Sequence, residues 1–276
     1  EISETIEGVG GIMNASTDRE ITTYWCKVAR PHFDIALDLL VDMVCNPLFD
    51  ASELEKERGV ILEELAMSND HPDARASLLI DETMWPNQAL GRDVGGSHES
   101  VSNLSRNAMM RFVTHQYVPS NAVVSVAGNV THEEVVESFS RYLDDWKTGT
   151  PLDWFPAVDN QTAPRVRTEY RKSEQAHICL SLQGLGIDDP QRYIADMLSA
   201  VLGEGMSSRL FLELREERGL AYEVNSGNSH YRDTGAFEIY AAVDPKNATV
   251  AIETILVELE KLKSGIPESE LTKSKE

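Results

Sequence analysis

A run of five elements occurs twice in this chain and limits what it can fold into. Residues 2–45 read as the end of a helix, the glycine turn GVGG, a hairpin rich in Thr, Tyr, Ile and Val, a proline, and a long amphipathic helix. Residues 210–263 repeat that order, with Gly219 ending the first helix and Pro245 standing in the place of Pro31. Strands joined by a short turn pair as antiparallel neighbours, and a helix with one apolar stripe must lay it on the sheet. Two copies of one α+β unit, each an antiparallel sheet with helices packed on one face, account for the pattern. The strand–strand–helix order is common, so unrelated segments would give it as well. Between the copies, residues 144–164 change character, with Pro151, Pro156, Pro164, Trp146, Trp154 and Gly149. This predicts a linker at 148–164 between an N-terminal domain at 1–147 and a C-terminal one at 165–276.

The stretch DASELEKERGVILEELAM, residues 50–67, reads as one helix. Asp50 is placed to cap it, Glu53 stands where a capping box needs its acid, and Leu54, Ile61 and Leu65 recur at helical spacing. At about 100° per residue, Leu54, Val60, Ile61 and Leu65 cover one arc, and Glu57 and Glu64 fall inside it. Carboxylates on a face that packs inward must be paired, hydrogen-bonded or bound to a metal. On a half-buried face both would reach water or an arginine, and periodicity alone leaves the two readings open.

The remaining pattern predicts helices over 74–84, 105–116 with Ser105 as cap, 131–142 and 192–202, and strands over 122–127, 165–170 and 177–183. Residues 86–96 read as a loop. GEGMSS, residues 203–208, lacks the lysine and spacing of a phosphate loop and reads as a structural turn into a helix ending at Glu217, capped by Ser207 or Ser208. The formal charge of -21 argues against nucleic acid or an anionic membrane as the main partner. No apolar run approaches a membrane span. Cys26, Cys45 and Cys179 are far apart without C-x-x-C spacing, which predicts buried thiols in a reducing, cytoplasmic setting. The first residues read as the end of a helix and residues 267–276 as the start of another, as expected of an internal piece of a longer protein.

Four blocks, GVGGIMNASTDREITTYW, NPLFDASELEKERGVILEELAMSNDHPD, VPSNAVVSVAGNV and GEGMSSRLFLELREERGLAYEV, resemble the pitrilysin-like zinc peptidases in the same order along the whole chain. That family includes mitochondrial processing peptidase and insulin-degrading enzyme, and the likeness is greatest to the single-chain bacterial processing-peptidase type. The resemblance implies a zinc metalloendopeptidase that cleaves extended peptides or presequences. An H-x-x-E-H motif there supplies two histidine ligands and the general base. The pattern E-R-x-V-I-x-x-E supplies a third ligand, which falls on Glu64, and a second acid near the metal, which falls on Glu57. The seven histidines here include no pair four apart, so H-x-x-E-H is absent and this stretch alone is expected neither to be active nor to hold Zn2+ stably. Arg215 and Tyr222 match a pair that holds substrate near the scissile bond, catalytic as well as substrate-binding. Asn14 and Ala15 match an edge strand to which a peptide adds. Peptides are the implied partners, and pairing of two chains as a homodimer is left open. The alternative in the same family is a catalytically silent peptide-binding or assembly subunit, which would also lack the motif.

Overall fold

A computed structural model describes residues 2–275 of the chain. In chain order the elements are α1 (Ile2–Glu7), β1 (Ile12–Thr17), β2 (Thr22–Lys27), α2 (Phe33–Cys45), α3 (Ala51–Asp70), α4 (Pro72–Met84), α5 (His98–Asn103), α6 (Arg106–Gln116), α7 (His132–Leu143), β3 (Ala176–Gln183), α8 (Arg192–Gly203), a π-helix (Phe211–Glu217), β4 (Ala221–His230), β5 (Gly235–Val243), α9 (Ala248–Lys263) and α10 (Glu268–Lys275). The fold is α+β, and among the described residues no helix is long and apolar enough to cross a membrane.

Two compact units interleave along the chain: Glu1–Leu65 with Val94–Trp154, and Ala66–Asp93 with Phe155–Glu276. In the first, Gly10 takes φ +71°, and the Gly11 N–H closes α1 by donating to Ile6 O at 2.9 Å. The chain then enters the hairpin β1–β2, in register from Ile12 opposite Lys27 to Thr17 opposite Thr22. Pro31 sits in a 3-10 turn, Arg30–His32, that runs directly into α2. Ile6, Ala36, Leu37, Val101 and Val118 are buried here. Ser105 and Thr131 cap α6 and α7 through their side-chain oxygens, as their spacing predicts. Ser97 and Ser100 form a reciprocal capping box that starts α5, a helix too short for its periodicity to be read.

In the second unit the sheet order is β3–β5–β4, all antiparallel. Ile178, Leu180, Ile239, Ala241 and Val224 put their side chains into a cluster with Leu202, Leu210, Leu214, Ala251 and Ile255, so α8, the π-helix and α9 cover that face. α4 lies against β3 from the side of Cys179, whose thiol it meets through Ser77. Trp85 packs edge-on to Tyr231 with ring centroids 5.6 Å apart. Gly219 takes φ +59°, and Pro245 opens a 3-10 turn, Pro245–Asn247, that runs into α9. Helix, left-handed glycine, hairpin, proline turn and helix therefore follow one another in both units.

The two other predicted strands do not form. Residues 122–127 and 165–170 make no ladder with any described strand, and Val123, Val166 and Tyr170 are 95%, 86% and 92% exposed. A β-branched run favours extended backbone, but a strand exists only where a neighbour pairs with it. The three cysteines are free and half-buried rather than fully buried. Burial raises each thiol pKa, and for Cys179 the carboxylates of Glu238 and Asp81 add to it, to about 12.

Candidate active site

Asp50 starts α3 as its sequence predicts. Its Oδ1 accepts from the backbone N–H of Ser52 at 2.8 Å and of Glu53 at 3.2 Å, and from Ser52 Oγ at 2.6 Å. The Ser52 hydroxyl and these two amides hold the Asp50 carboxyl below the usual carboxylate range. The Glu53 carboxylate does not reach back to complete a capping box; it takes a bond from Lys56 Nζ at 2.6 Å.

The inward face of α3 differs from the one periodicity indicates. None of its residues is fully buried, and the half-buried ones include Leu54, Arg58, Ile61, Leu62 and Leu65. Arg58 turns the helix that way. Its Nη1 donates to Val101 O, its Nη2 donates to Leu104 O at 2.8 Å, and Glu55 pairs with it at 3.0 Å. These carbonyls belong to the end of α5, where cations are favoured. Glu57 and Glu64 border the stripe on its solvent side and are exposed. Of the two readings, the half-buried face whose acids reach water is the one found, and the inward-facing acids are corrected: the donors of Arg58 fill the inward position. Among the described residues neither carboxylate has a hydrogen-bond or ion-pair partner.

Asn14 and Ala15 are exposed on β1, opposite Trp25 and Tyr24. β1 pairs with β2 alone, so among the described residues its other edge is open. The Ala15 N–H donates to Oδ1 of its own neighbour Asn14 at 2.8 Å, which satisfies the amide without a third strand.

Arg215 and Tyr222 lie in the second unit on two backbone irregularities. Arg215 belongs to the π-helix, closed at its end by Leu220 N–H donating to Leu214 O at 2.7 Å and Gly219 N–H to Arg215 O at 3.2 Å. Tyr222 falls where the β4–β5 register slips: Ala221 is opposite Val243 and Glu223 is opposite Ala242, leaving Tyr222 unpaired. Such bulges re-aim a side chain, and Tyr222 is 73% exposed. The Arg215 guanidinium carbon lies 5.3 Å from the centroid of that ring and 5.0 Å from the centroid of Phe211. Glu213, the nearby acid, pairs instead with Arg218 at 2.7 Å. Among the described residues the Arg215 guanidinium has no hydrogen-bond or carboxylate partner. The structure thus joins Arg215 to Tyr222 and adds Phe211, which the sequence did not single out although it stands four residues before Arg215.

In GEGMSS, Gly205 takes φ +80°, and Ser208 Oγ donates to Gly205 O at 2.8 Å; among the described residues neither Ser207 nor Ser208 accepts a helix N–H through its side chain, so the expected cap is corrected. A Cβ on Gly203 would meet Ser226 N at 2.5 Å, so this glycine allows α8 to approach β4. The segment is a structural turn.

The donor set does not fit zinc. No group of three His, Cys, Asp or Glu side chains among the described residues could hold a metal ion. A zinc site needs about four ligands, so Glu64 can contribute to one only with donors beyond these.

Residues 1–98 match the model of the insulinase family, peptidase family M16, and residues 103–276 that of the peptidase M16 inactive domain. An uncharacterized zinc protease of Streptomyces coelicolor is 37% identical over 280 residues, covering 98% of this chain and 61% of the relative. YmxG, an uncharacterized zinc protease of Bacillus subtilis, is 36% identical over 284 residues, covering 100% and 67%. The chain therefore spans between 61% and 67% of the length of these relatives. Among solved structures, a protease from Helicobacter pylori superposes with a TM-score of 0.94 at 25% identity, over 99% of this chain and 68% of that one. A peptidase M16 inactive domain from Pseudomonas fluorescens gives 0.90 at 21% identity, over 99% and 67%.

Proposed function

Because the chain belongs to the insulinase family, peptidase family M16, we propose that it forms the substrate-handling part of a zinc-dependent endopeptidase acting on extended peptides. The observation that carries this reading is Arg215. In a chain with 46 acidic and 25 basic residues, its guanidinium lies against two aromatic rings and, among the described residues, pairs with no carboxylate. An aromatic ring offers the guanidinium no oxygen acceptor, so its N–H groups keep their capacity to donate to one. Those donors suit a peptide carbonyl. Tyr222, re-aimed by the bulge and exposed, can donate its phenol hydrogen to the oxyanion that develops at a scissile carbonyl.

In this reading β1 takes the peptide as an added strand, and a substrate carbonyl replaces Asn14 Oδ1 on the Ala15 N–H. Glu64 serves as one metal ligand, completed by donors outside the described residues. Glu57, two turns earlier and about 10 Å away along the axis, supports the site from outside the metal's immediate contacts. Zinc, when bound, supplies Lewis acidity toward water and the peptide carbonyl.

The test is cleavage of unstructured peptides by the full-length protein. Tyr222→Phe should lower kcat/KM by about a hundredfold, the lower end for losing one oxyanion donor, and Arg215→Ala should lower it as well. Peptide binding without turnover would instead support the silent subunit, and unaltered turnover in both variants would remove these two residues from the mechanism.

A further inference from the structure

We propose that Phe211 is a positioning residue: its ring holds the Arg215 guanidinium beside Tyr222, so that the arginine meets substrate already oriented. The proposal rests on the reading that Arg215 acts on substrate. Phe211 is half-buried and packs against the apolar cluster of Leu202, Leu210 and Leu214. The ring is therefore fixed from behind, whereas Arg215 is exposed and has many rotamers to lose. The guanidinium carbon lies 5.0 Å from one ring and 5.3 Å from the other, both within cation–π range. The remaining means of restraint are absent or used elsewhere. Glu213 is taken by Arg218, and neither Glu216 nor Glu217 pairs with Arg215 among the described residues. A carboxylate would also have taken up N–H donors that substrate needs, whereas a ring restrains the arginine without offering those donors an oxygen acceptor.

The experiment is a double-mutant cycle in the full-length protein, reading kcat/KM on one peptide, or peptide affinity by fluorescence anisotropy if no cleavage occurs. Phe211→Leu keeps an apolar side chain on the core but removes the aromatic face, and Phe211→Tyr restores it. Phe211→Leu should cost about fivefold, in line with an exposed cation–π contact, and Phe211→Tyr should recover most of that. In an Arg215→Ala background Phe211→Leu should add less than about twofold. An equal loss in both backgrounds would mean a packing role and overturn the proposal. Full function in Phe211→Leu beside a defective Arg215→Ala would overturn the positioning role alone. Full function in Arg215→Ala would remove the substrate reading of Arg215 and the proposal with it.

Discussion

Replacing Gly219 by alanine should cost the second unit about 1 kcal/mol, a balance of two opposing effects. Gly219 takes φ +59° at the turn between the helix of Arg215 and the strand of Tyr222. A Cβ there would meet nothing within 4 Å, so the whole cost is conformational. Left-handed backbone costs an L-residue about 1–2 kcal/mol, and the stiffer unfolded chain of alanine returns about 0.5 kcal/mol. With a urea slope near 2 kcal/mol/M, the midpoint should fall by about 0.5 M. Tryptophan emission reads it, since Trp85 is 2% exposed in this unit. Gly219→Asn should recover part of the loss because asparagine tolerates this conformation. An unchanged midpoint in Gly219→Ala, or a larger loss in Gly219→Asn, would refute the conformational account.

Two further outcomes follow from titrating groups in the same unit. His230 Nδ1 lies 2.7 Å from Leu185 O and Nε2 lies 3.0 Å from Asp196 Oδ1, two acceptors that only the imidazolium can serve together. Burial disfavours its cation, but the bonds to Leu185 and Asp196 outweigh that and raise the pKa above the ordinary 6.5. Its stabilisation is thus fully present below 6.5 and fades as pH rises through the raised value; urea midpoints at pH 6 and pH 9 should show a decline that His230→Gln abolishes. Cys179, with its thiol pushed up to about 12 by burial and by the carboxylates of Glu238 and Asp81, should alkylate at least about thirtyfold more slowly at pH 8 than an ordinary thiol, because its smaller thiolate fraction is only partly offset by greater nucleophilicity. Peptide mass spectrometry should find it labelled after Cys26 and only on unfolding, and equal labelling of the two in the native protein would contradict the burial effect.

How far the sequence spoke depends on whether a feature is local. The α3 cap at Asp50, both hairpins and the proline turns before α2 and α9 depend on residues within one turn of one another, and they are where spacing puts them. The inward face of α3 depends on carbonyls more than forty positions away, at Val101 and Leu104. Residues 122–127 looked like a strand from composition, whereas strand formation is a property of a pair. FLELREE reads as an ordinary helix, and only its backbone bonding reveals the π form that accompanies the Phe211–Arg215–Tyr222 stack. Glu57, Glu64, Arg215 and Tyr222 are singled out only by the family motif they resemble, since no local rule distinguishes them from surface residues, and their roles stand as proposals.

The measurement that bears most directly on the metallopeptidase reading is the zinc content of the full-length protein beside its Glu64→Gln variant, both shown to be folded by urea unfolding. The account predicts close to one zinc per chain in the unaltered protein and loss of most of it in the variant, because a carboxamide is a far poorer ligand than the carboxylate that stands free on α3. Zinc retained in full by Glu64→Gln, or absent from the folded unaltered protein, would contradict it.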